Sequence, residues 1–500
     1  MHMSLILVQG WGDEVMKATG TNLCVVLSSA ILLSLGPGIV QATIYNEVRL
    51  TDSEYDNENP WIGGNKIVWQ GWDGSDYEIY CYDIVSGETT QITQNAPYND
   101  MYPRTDGEYI FWSQAEPGAD PWDDSFCLYE IGTGETILFV ENPSWASWDG
   151  AFVAWTAPTA TTDRDELFLY DATSGETLQI TDDSLWDFSP KVRQGRVVWM
   201  SSEDDSLQNK RILVYDSSTG ETEEVFSTEE TLYGFDFRGN RISWWQETAV
   251  EGNWRYGKVY AHDLATGQAL VVKDTQTYYY RGAIYPTAGD TGLLWEEGEW
   301  VTFDQWETRF LYWDSLTGQT RVISDSRRSD YHIDYDYRHT QGKHVVWPGA
   351  AVLNDEIYHH DLATGLTTQV THDIFTDAHP VVYEGTIVWQ GFYLGSGHYE
   401  IYLGVPCLDG DGDGYEAASC GGTDCDDSLP DVNPGMSEVP GNGIDDDCNP
   451  FTPAYTEPAN TIAASYGETS LMGSGVFNSL ALLLIPVMGV IFLRVFRRRR

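Results

Sequence analysis

A tryptophan that returns every 42 to 52 residues is the feature that most constrains this chain. Each belongs to a unit like Asn65 to Thr93, in which a β-branched run, an Asp-Gly turn, a second run, a Gly turn and a closing run follow one another. Runs of this length between turn residues predict strands joined by hairpins. Units of this period with about four strands each predict an all-β fold, a β-propeller. The repeated residues are Trp69, Trp112, Trp155, Trp199, Trp244, Trp295, Trp347 and Trp389.

The two ends of the repeat predict how the ring closes. Residues 43–51 resemble the closing strand of a unit but have no preceding strands, whereas the eighth unit, residues 386–404, stops before its closing strand. If the first strand completes the last blade, two exposed strand edges disappear. We therefore predict eight blades over residues 43–404, with seven as the alternative should one unit be irregular.

The net charge of the chain limits the kinds of partner that its folded part can bind. The chain has 77 acidic and 27 basic residues, a net charge of −50. This excess repels nucleic acid and anionic lipid, so we expect neither to bind the folded part. Solubility in a salty or cation-rich medium explains the charge generally, and local cation binding is the alternative where acidic residues cluster.

Hydrophobic segments at both ends predict export and anchoring. The apolar run 23–35, followed by Val40-Gln41-Ala42, predicts a secretory signal peptide in residues 1–42, with Met16 as a second start. Residues 451–475 have the composition of a flexible spacer. Residues 476–500 combine an apolar run with terminal arginines, which predicts a transmembrane helix with a cytoplasmic tail. We expect an envelope protein on the outer face of the membrane or in the periplasm.

The C-terminal tail also resembles the sorting tails read by sortase-like enzymes. That resemblance implies cleavage near residues 473–475 and release to the cell surface. A permanent membrane anchor is the alternative.

The repeat units resemble those of the TolB-like (WD40-like) propeller family. The resemblance is clearest at DGSDYEIYCYD (Asp73 to Asp83) with TTQIT, and at DEIYHHD (Asp355 to Asp361) with TTQVT. It covers residues 43–404 and implies a rigid platform for a protein or another ligand. Members often have six blades, so the predicted count departs from the commonest form.

Several repeated residues have structural interpretations. The recurring Asp starts a hairpin, where its carboxylate can accept a bond from the backbone two residues on, while the following Gly takes positive φ. The recurring Trp is expected in the core. Cys81 and Cys127 are offset by one position in adjacent blades, so we expect buried free thiols. The turn residues are Asp83, Asp171, Asp216, Asp263, Asp314 and Asp361.

Loops between blades are where propellers usually bind their ligands. They contain aromatic residues that could stack on sugar rings or clamp a peptide, with half-buried, loop-shaping aromatics as the alternative. No catalytic motif is found, which favours a non-catalytic binding or adhesion platform for a protein or glycan. The other hypothesis is a polysaccharide lyase or glycoside hydrolase with carboxylates at the propeller mouth. The predicted rim residues are Trp186 (beside Asp187), Tyr233, Tyr279, Tyr335 and Tyr337.

An acidic segment follows the repeats. Residues 407–448 contain twelve acidic residues, four cysteines and no Lys or Arg. Asp409, Asp411 and Asp413 alternate with glycine as in the first half of a calcium loop, and the Tyr415 carbonyl could add a ligand. The twelfth loop position, Glu in an EF-hand, is Cys420, so closing ligands must come from elsewhere. We expect them from Asp424, Asp426 and Asp427, while Glu438, Asp445 and Asp447 complete this site or form another.

This segment resembles the metal-binding motif of the MopE-like family of secreted and surface bacterial proteins. The matching pieces are DGDGDGY, TDCDD, a V-N-P-G turn and GNGIDDDC. Copper is associated with the family name, but the hard oxygen ligands favour Ca²⁺. The resemblance implies a small module, residues 405–450, stabilised by metal and by disulfides. In an oxidising compartment we expect two bridges, with all three pairings open, among Cys407, Cys420, Cys425 and Cys448.

Overall fold

The computed structural model describes residues 43–449 except 119–123, 161–163, 204–208, 253, 279–285, 303–304, 325–339, 351–353, 394, 396, 408, 419–421 and 440–441. The described part is a β-propeller of eight four-stranded antiparallel sheets. It contains no helix long and apolar enough to cross a bilayer. The predicted signal peptide, spacer and transmembrane helix lie outside the described residues.

Blades 1 to 4 each contain four consecutive strands, numbered along the chain. Blade 1 has β2 (Asn57–Gly63), β3 (Lys66–Trp72), β4 (Tyr77–Asp83) and β5 (Glu88–Gln91). Blade 2 has β6 (Asn99–Thr105), β7 (Tyr109–Ala115), β8 (Ser125–Glu130) and β9 (Glu135–Val140). Blade 3 has β10 (Trp145–Asp149), β11 (Phe152–Pro158), β12 (Asp165–Asp171) and β13 (Glu176–Gln179). Blade 4 has β14 (Trp186–Arg193), β15 (Arg196–Ser202), β16 (Lys210–Asp216) and β17 (Glu221–Thr228).

Blades 5 to 8 continue the order, and the last takes its fourth strand from the start of the chain. Blade 5 has β18 (Leu232–Arg238), β19 (Arg241–Glu251), β20 (Trp254–Asp263) and β21 (Gln268–Tyr278). Blade 6 has β22 (Thr287–Ala288), β23 (Gly292–Thr302), β24 (Gln305–Asp314) and β25 (Gln319–Val322). Blade 7 has β26 (Thr340–Gln341), β27 (His344–Ala350), β28 (Asp355–Asp361) and β29 (Leu366–Gln369). Blade 8 has β30 (Asp377–Tyr383), β31 (Thr386–Tyr393), β32 (His398–Pro406) and β1 (Tyr45–Arg49).

The predicted ring closure is confirmed. Strand β1 pairs antiparallel with β32, with Val48 opposite Leu403 and Arg49 opposite Tyr402. The pairing extends past the strands, because the Cys407 N–H donates to the Ile44 carbonyl at 2.8 Å. Eight blades, rather than the alternative of seven, complete the ring.

The repeated tryptophans form the core between blades, as predicted. All eight are at most 8% exposed. Each lies on the second strand of its blade, and Trp69, for example, stacks on Tyr80 of the third strand at 5.9 Å between ring centroids. Burial of a tryptophan removes roughly 150–250 Å² from water, so this one position repeated around the ring supplies much of the driving force for folding.

The hairpin prediction is confirmed at the turns that begin with the recurring Asp and end with a Gly. In blade 1, Asp83 Oδ1 accepts the Val85 N–H at 2.8 Å, and Gly87 adopts a φ of +72°. The equivalent carboxylate makes the same bond two residues on at Asp171, Asp216, Asp263, Asp314 and Asp361.

The two cysteines of the propeller are free and buried, as predicted. Burial raises the pKa of Cys81 to about 11 and that of Cys127 to about 12. Both thiols therefore stay protonated at neutral pH, and they pack as small apolar side chains.

Candidate functional site

The acidic module follows directly from the last propeller strand. Its chain is cross-linked by a disulfide between Cys425 and Cys448, which closes a separation of 23 residues. Cys407 is also disulfide-bonded, whereas Cys420 lies outside the described residues. In the described module only Cys407 and Val432 are buried hydrophobic residues. Covalent and polar contacts therefore define its shape.

The first three predicted ligands meet in one loop. One carboxylate oxygen from each of Asp409, Asp411 and Asp413 lies within 4.8 Å of the others. Asp409 holds the loop in this form by accepting the N–H groups of Gly412 and Gly414 at 2.6 and 2.8 Å. Alternate glycines let the backbone turn tightly enough for the carboxylates to converge.

Asp424, from the following segment, lies close enough to Asp411 and Asp413 to interact with their charges. It is 1% exposed, and neither its Oδ2 nor that of Asp411 has a hydrogen-bond partner. Loss of hydration first, and then the charges of Asp413, Asp424 and Asp409, raise the pKa of Asp411. Unpaired carboxylate oxygens held together in this way are a suitable donor set for a hard cation.

The other predicted ligands of this site have additional partners. Asp427 Oδ1 accepts the Gly410 N–H at 2.8 Å and so ties the second segment to the loop. Asp426 Oδ1 accepts the Ser428 hydroxyl at 2.6 Å, which is a turn-forming contact. The Tyr415 N–H donates to Asp413 at 2.8 Å, and ligation by its carbonyl stays a prediction.

The later carboxylates form a second set. Loss of hydration, followed by the charges of Asp447, Asp445 and Asp446, raises the pKa of Glu438. Glu438 Oε2 is buried without a hydrogen-bond partner. Asp446, which the sequence did not single out, accepts the Val439 N–H at 2.8 Å and shapes the turn. These contacts favour a separate second group over completion of the first.

Asn433 connects the two sets. Its side-chain Nδ2 donates to Asp413 at 2.6 Å, while its backbone N–H donates to the Asp446 carbonyl at 3.0 Å. It is 4% exposed. In the sequence Asn433 stands in the V-N-P-G turn, and nothing in that pattern indicates its role.

Two of the predicted rim residues fall in the described part. The ring of Trp186 is half-buried beneath the guanidinium of Arg164, 5.4 Å from it. The Tyr233 ring packs on Trp245 at 5.4 Å, and its hydroxyl accepts a bond from Arg255 at 2.6 Å. Both aromatics therefore have partners within the propeller. Tyr279, Tyr335 and Tyr337 lie outside the described residues.

A cavity that the sequence did not predict lies on the ring axis. Its volume is about 290 Å³. Blades 1 to 7 all contribute to its lining, each through its first strand or the turn after that strand. Because the first strands of all these blades meet only at the axis of the ring, the cavity lies there. Two nearly buried tryptophans, Trp61 and Trp148, contribute to the wall.

Positive charge is concentrated in this cavity. Four of the chain's 27 basic residues line it, against three carboxylates. The carboxylates are engaged in the ring: Asp149 accepts the Gln194 N–H, Asp236 the Ala288 N–H, and Asp290 the Arg238 guanidinium. The side-chain ammonium of Lys191 has no ion-pair or hydrogen-bond partner within the described ranges, although its backbone pairs with Val198. The basic residues are Arg104, Lys191, Arg193 and Arg238.

Comparison with known families identifies the second half of the module. The Cu-binding MopE family, described as a metal-binding motif, matches residues 424–452. The match includes Asp424 and the second carboxylate set, but not Asp409 to Asp413. No curated protein matches the chain in sequence.

Several solved structures are similar to the chain at low identity. An oligogalacturonate lyase from Vibrio parahaemolyticus is 12% identical, with a TM-score of 0.44 over 73% of this chain and 96% of that one. TolB from Acinetobacter baumannii is 13% identical, with a TM-score of 0.29 over 62% and 80%. The tricorn protease is 14% identical, with a TM-score of 0.34 over 68% of this chain, which spans only 36% of that protein. The strand pairing of the chain itself shows an eight-bladed propeller, and the family match shows a metal-binding motif after it.

Proposed function

We propose that the protein is an exported, non-catalytic binding platform whose propeller holds an anionic group in the axial cavity. The observation that carries this proposal is the clustering of four basic side chains around one cavity in a chain of net charge −50. The charge of Lys191 is not neutralised by a carboxylate, whereas Arg238 is paired with Asp290 at 3.0 Å. Lys191 is half-buried, and a cation in that position without a partner favours a ligand that supplies a negative charge.

The cavity favours a small acidic group, such as one uronic acid residue or the end of an acidic glycan. Its volume of about 290 Å³ is just below the range of roughly 300–1,000 Å³ that is usual for small-molecule pockets. Its tryptophans offer little stacking surface, because Arg104 covers Trp61 at 5.1 Å and Phe111 stacks on Trp148 at 6.0 Å. Charge and hydrogen bonding would therefore dominate recognition.

We further propose that the acidic module binds Ca²⁺ outside the cytoplasm. Its donors are carboxylate oxygens, which suit hard cations, and the Cys425–Cys448 disulfide is the kind of bond that oxidising compartments maintain. Extracellular calcium modules typically bind with dissociation constants of roughly 0.1 to 1 mM. In this proposal the C-terminal segment anchors the chain in the envelope, with the propeller facing outward.

Titration of the full-length chain with a galacturonic acid trimer tests the binding role, with the uncharged galactose trimer as ligand control. We expect binding of the acidic trimer only, weakened at least about tenfold by Lys191→Gln, the loss of one partly buried charge pair. Lys258→Gln, on the third strand of blade 5 and outside the cavity, should bind like the parent. Equal binding by both variants would contradict the proposal, and turnover of the trimer would support the hydrolase or lyase hypothesis instead.

A further inference from the structure

A second set of buried carboxylates recurs between blades, away from the acidic module. At four junctions, the third strand of one blade contributes a glutamate that is at most 2% exposed. The first strand of the next blade contributes an Asp or Asn whose Oδ1 accepts the indole N–H of that blade's repeated tryptophan. The pairs are Glu78 with Asp100 (junction 1/2), Glu166 with Asp187 (junction 3/4), Glu356 with Asp377 (junction 7/8) and Glu400 with Asn57 (junction 8/1).

Junction 8/1 shows how a buried glutamate is satisfied without an ion. Glu400 accepts the Ser53 N–H at 3.0 Å and the hydroxyl of Thr51. The side-chain amide of Asn57 also points towards it, at 3.4 Å from Nδ2 to Oε2. Both carboxylate oxygens of Glu400 therefore face hydrogen-bond donors. The other end of the same amide, Asn57 Oδ1, accepts the indole N–H of Trp69 at 3.0 Å.

The other three junctions replace that amide by a carboxylate, which has no proton to donate. The outer oxygen, Oδ2, of Asp100, Asp187 and Asp377 has no hydrogen-bond partner, although these residues are 0%, 1% and 3% exposed. No salt bridge within the described ranges reaches any of the three. A buried carboxylate without a partner is costly in its charged form, so it must either hold a proton or face a cation.

Two of these junctions share one geometry. In both, a second carboxylate follows the glutamate by 17 residues and the third by 21. One oxygen from each of Glu356, Asp373 and Asp377 lies within 4.8 Å of the others, and Glu166, Asp183 and Asp187 do the same. Oxygens bound to one Ca²⁺ at roughly 2.3–2.6 Å lie at most about 5 Å apart, which this spacing satisfies. Asp183 and Asp373 are exposed, so an ion can reach both clusters from solvent.

Junction 1/2 also brings several carboxylates together, but from different positions in the sequence. Asp76, Glu78 and Asp100 are at most 1% exposed, and each has one oxygen without a partner. Asn95 directs its backbone N–H to Glu78 Oε1 at 3.0 Å and leaves its own side-chain oxygen unpaired. Oxygens of Asp73, Asp76 and Glu78 again lie within 4.8 Å of one another.

We infer that junctions 1/2, 3/4 and 7/8 each bind one hard divalent cation, of the Ca²⁺ class, that joins the third strand of one blade to the first strand of the next. The donors are oxygens only, as such ions prefer. Junction 8/1, with its amide, is the ion-free version of the same contact.

Calcium stoichiometry of the chelator-treated full-length chain tests the inference. Asn57 shows that an amide fits this position and keeps the indole bond, so Asp100→Asn, Asp187→Asn and Asp377→Asn should fold. Each is expected to lower the number of calcium ions per chain by one, and the triple variant by three. Asp411→Asn in the module should remove a different ion and leave the junction ions in place. An unchanged stoichiometry in the triple variant would overturn the inference.

Melting temperatures measured in chelator and in calcium provide a second test. Calcium should raise the melting temperature of the parent more than that of the triple variant, because ions that bind only the folded state stabilise it. In chelator the triple variant should melt at or above the parent, since each new amide can donate to the facing glutamate as Asn57 does. Equal destabilisation in both conditions would mean that the carboxylates serve only as hydrogen-bond acceptors, and would contradict the inference.

Discussion

The propeller and the acidic module reach a defined structure by different means. The propeller buries eight repeated tryptophans between blades and closes its ring by pairing β1 with β32. The module buries almost no apolar surface in its described part, and relies on a disulfide and on carboxylates that accept backbone N–H groups. Loss of a buried tryptophan should therefore destabilise the ring, whereas loss of the disulfide or of a hydrogen bond within the module should destabilise the module alone.

The largest effect is expected from Trp389→Ala in the ring. This side chain is 0% exposed, and its removal leaves a cavity in the core between blades 7 and 8. We expect the free energy of unfolding to fall by about 3 to 5 kcal/mol. Urea unfolding monitors the loss, with Trp145→Ala as the control, because Trp145 is 49% exposed. Equal losses in the two variants would show that the ring is not held by its repeated tryptophans.

The disulfide should matter for the module and not for the ring. Replacement of both Cys425 and Cys448 by Ser opens a loop of 23 residues, which costs about 3 kcal/mol in a chain-entropy account. Hydrogen exchange should rise across residues 409–449 and stay unchanged in the blades. Replacement of the free thiols, Cys81→Ala and Cys127→Ala, is the control for loss of cysteine. Increased exchange throughout the ring would contradict the separation of the two regions.

A buried histidine in blade 7 gives the ring a pH dependence. Burial, aided by the charge of His344, lowers the pKa of His359 to about 3, and the two rings face each other at 2.9 Å from Nδ1 to Nε2. An unfolded histidine titrates near pH 6.5, so between pH 3 and 6.5 the unfolded chain binds the extra proton. The neutral, buried His359 therefore adds fully to the free energy of unfolding above pH 6.5, and this stabilisation is lost as the pH falls towards 3.

His359→Gln should make stability less sensitive to acid. We expect the loss of unfolding free energy between about pH 7 and pH 5 to shrink by about 1 to 2 kcal/mol. The exposed His372→Gln is the control and should keep the parent slope. Urea unfolding at the two pH values measures both, and identical slopes for all three proteins would refute the assignment.

The smallest effect is expected at the contact between the two carboxylate sets. Asn433→Ala removes the Nδ2 bonds to Asp413 and to the Pro430 carbonyl, at 2.6 and 3.1 Å. The two bonds together should contribute about 1 kcal/mol, at the low end of roughly 0.5–1.5 kcal/mol for each hydrogen bond. Faster hydrogen exchange at residues 409–415, with no change on substitution of the exposed Asn46 by Ala, would support the contact. Unchanged exchange in Asn433→Ala would show that the sets are independent.

Local patterns made the propeller predictable from sequence. The Trp period, the hairpins that begin with the recurring Asp and the incomplete end units can each be seen by comparing units along the sequence, and the structure confirms all three. The axial cavity was not predictable in this way, because its basic residues come from three different blades and meet only after the ring closes. Nothing near Lys191 or Arg238 in sequence indicates the other.

The direction of side chains on the first strands of the blades is also hard to predict from sequence, because several of these strands contain bulges. Asp187 stands beside Trp186 in a segment expected to form the rim, but it is 1% exposed and faces the Trp199 indole at 2.9 Å. Strand β14 contains a bulge, with Ser189 at a φ of +54°, so simple alternation does not give the direction of its side chains. In the module the first three ligands were predictable from their spacing, whereas the role of Asn433 depends on a fold without periodicity.

The most direct test of the binding platform is a crystal structure of the full-length protein with the galacturonic acid trimer. The account predicts a carboxylate of the trimer in the axial cavity, within hydrogen-bond distance of the Lys191 Nζ and with no bond of the sugar cleaved. A trimer bound only at the outer loops, or an axial cavity that holds only water at saturating trimer, would contradict it.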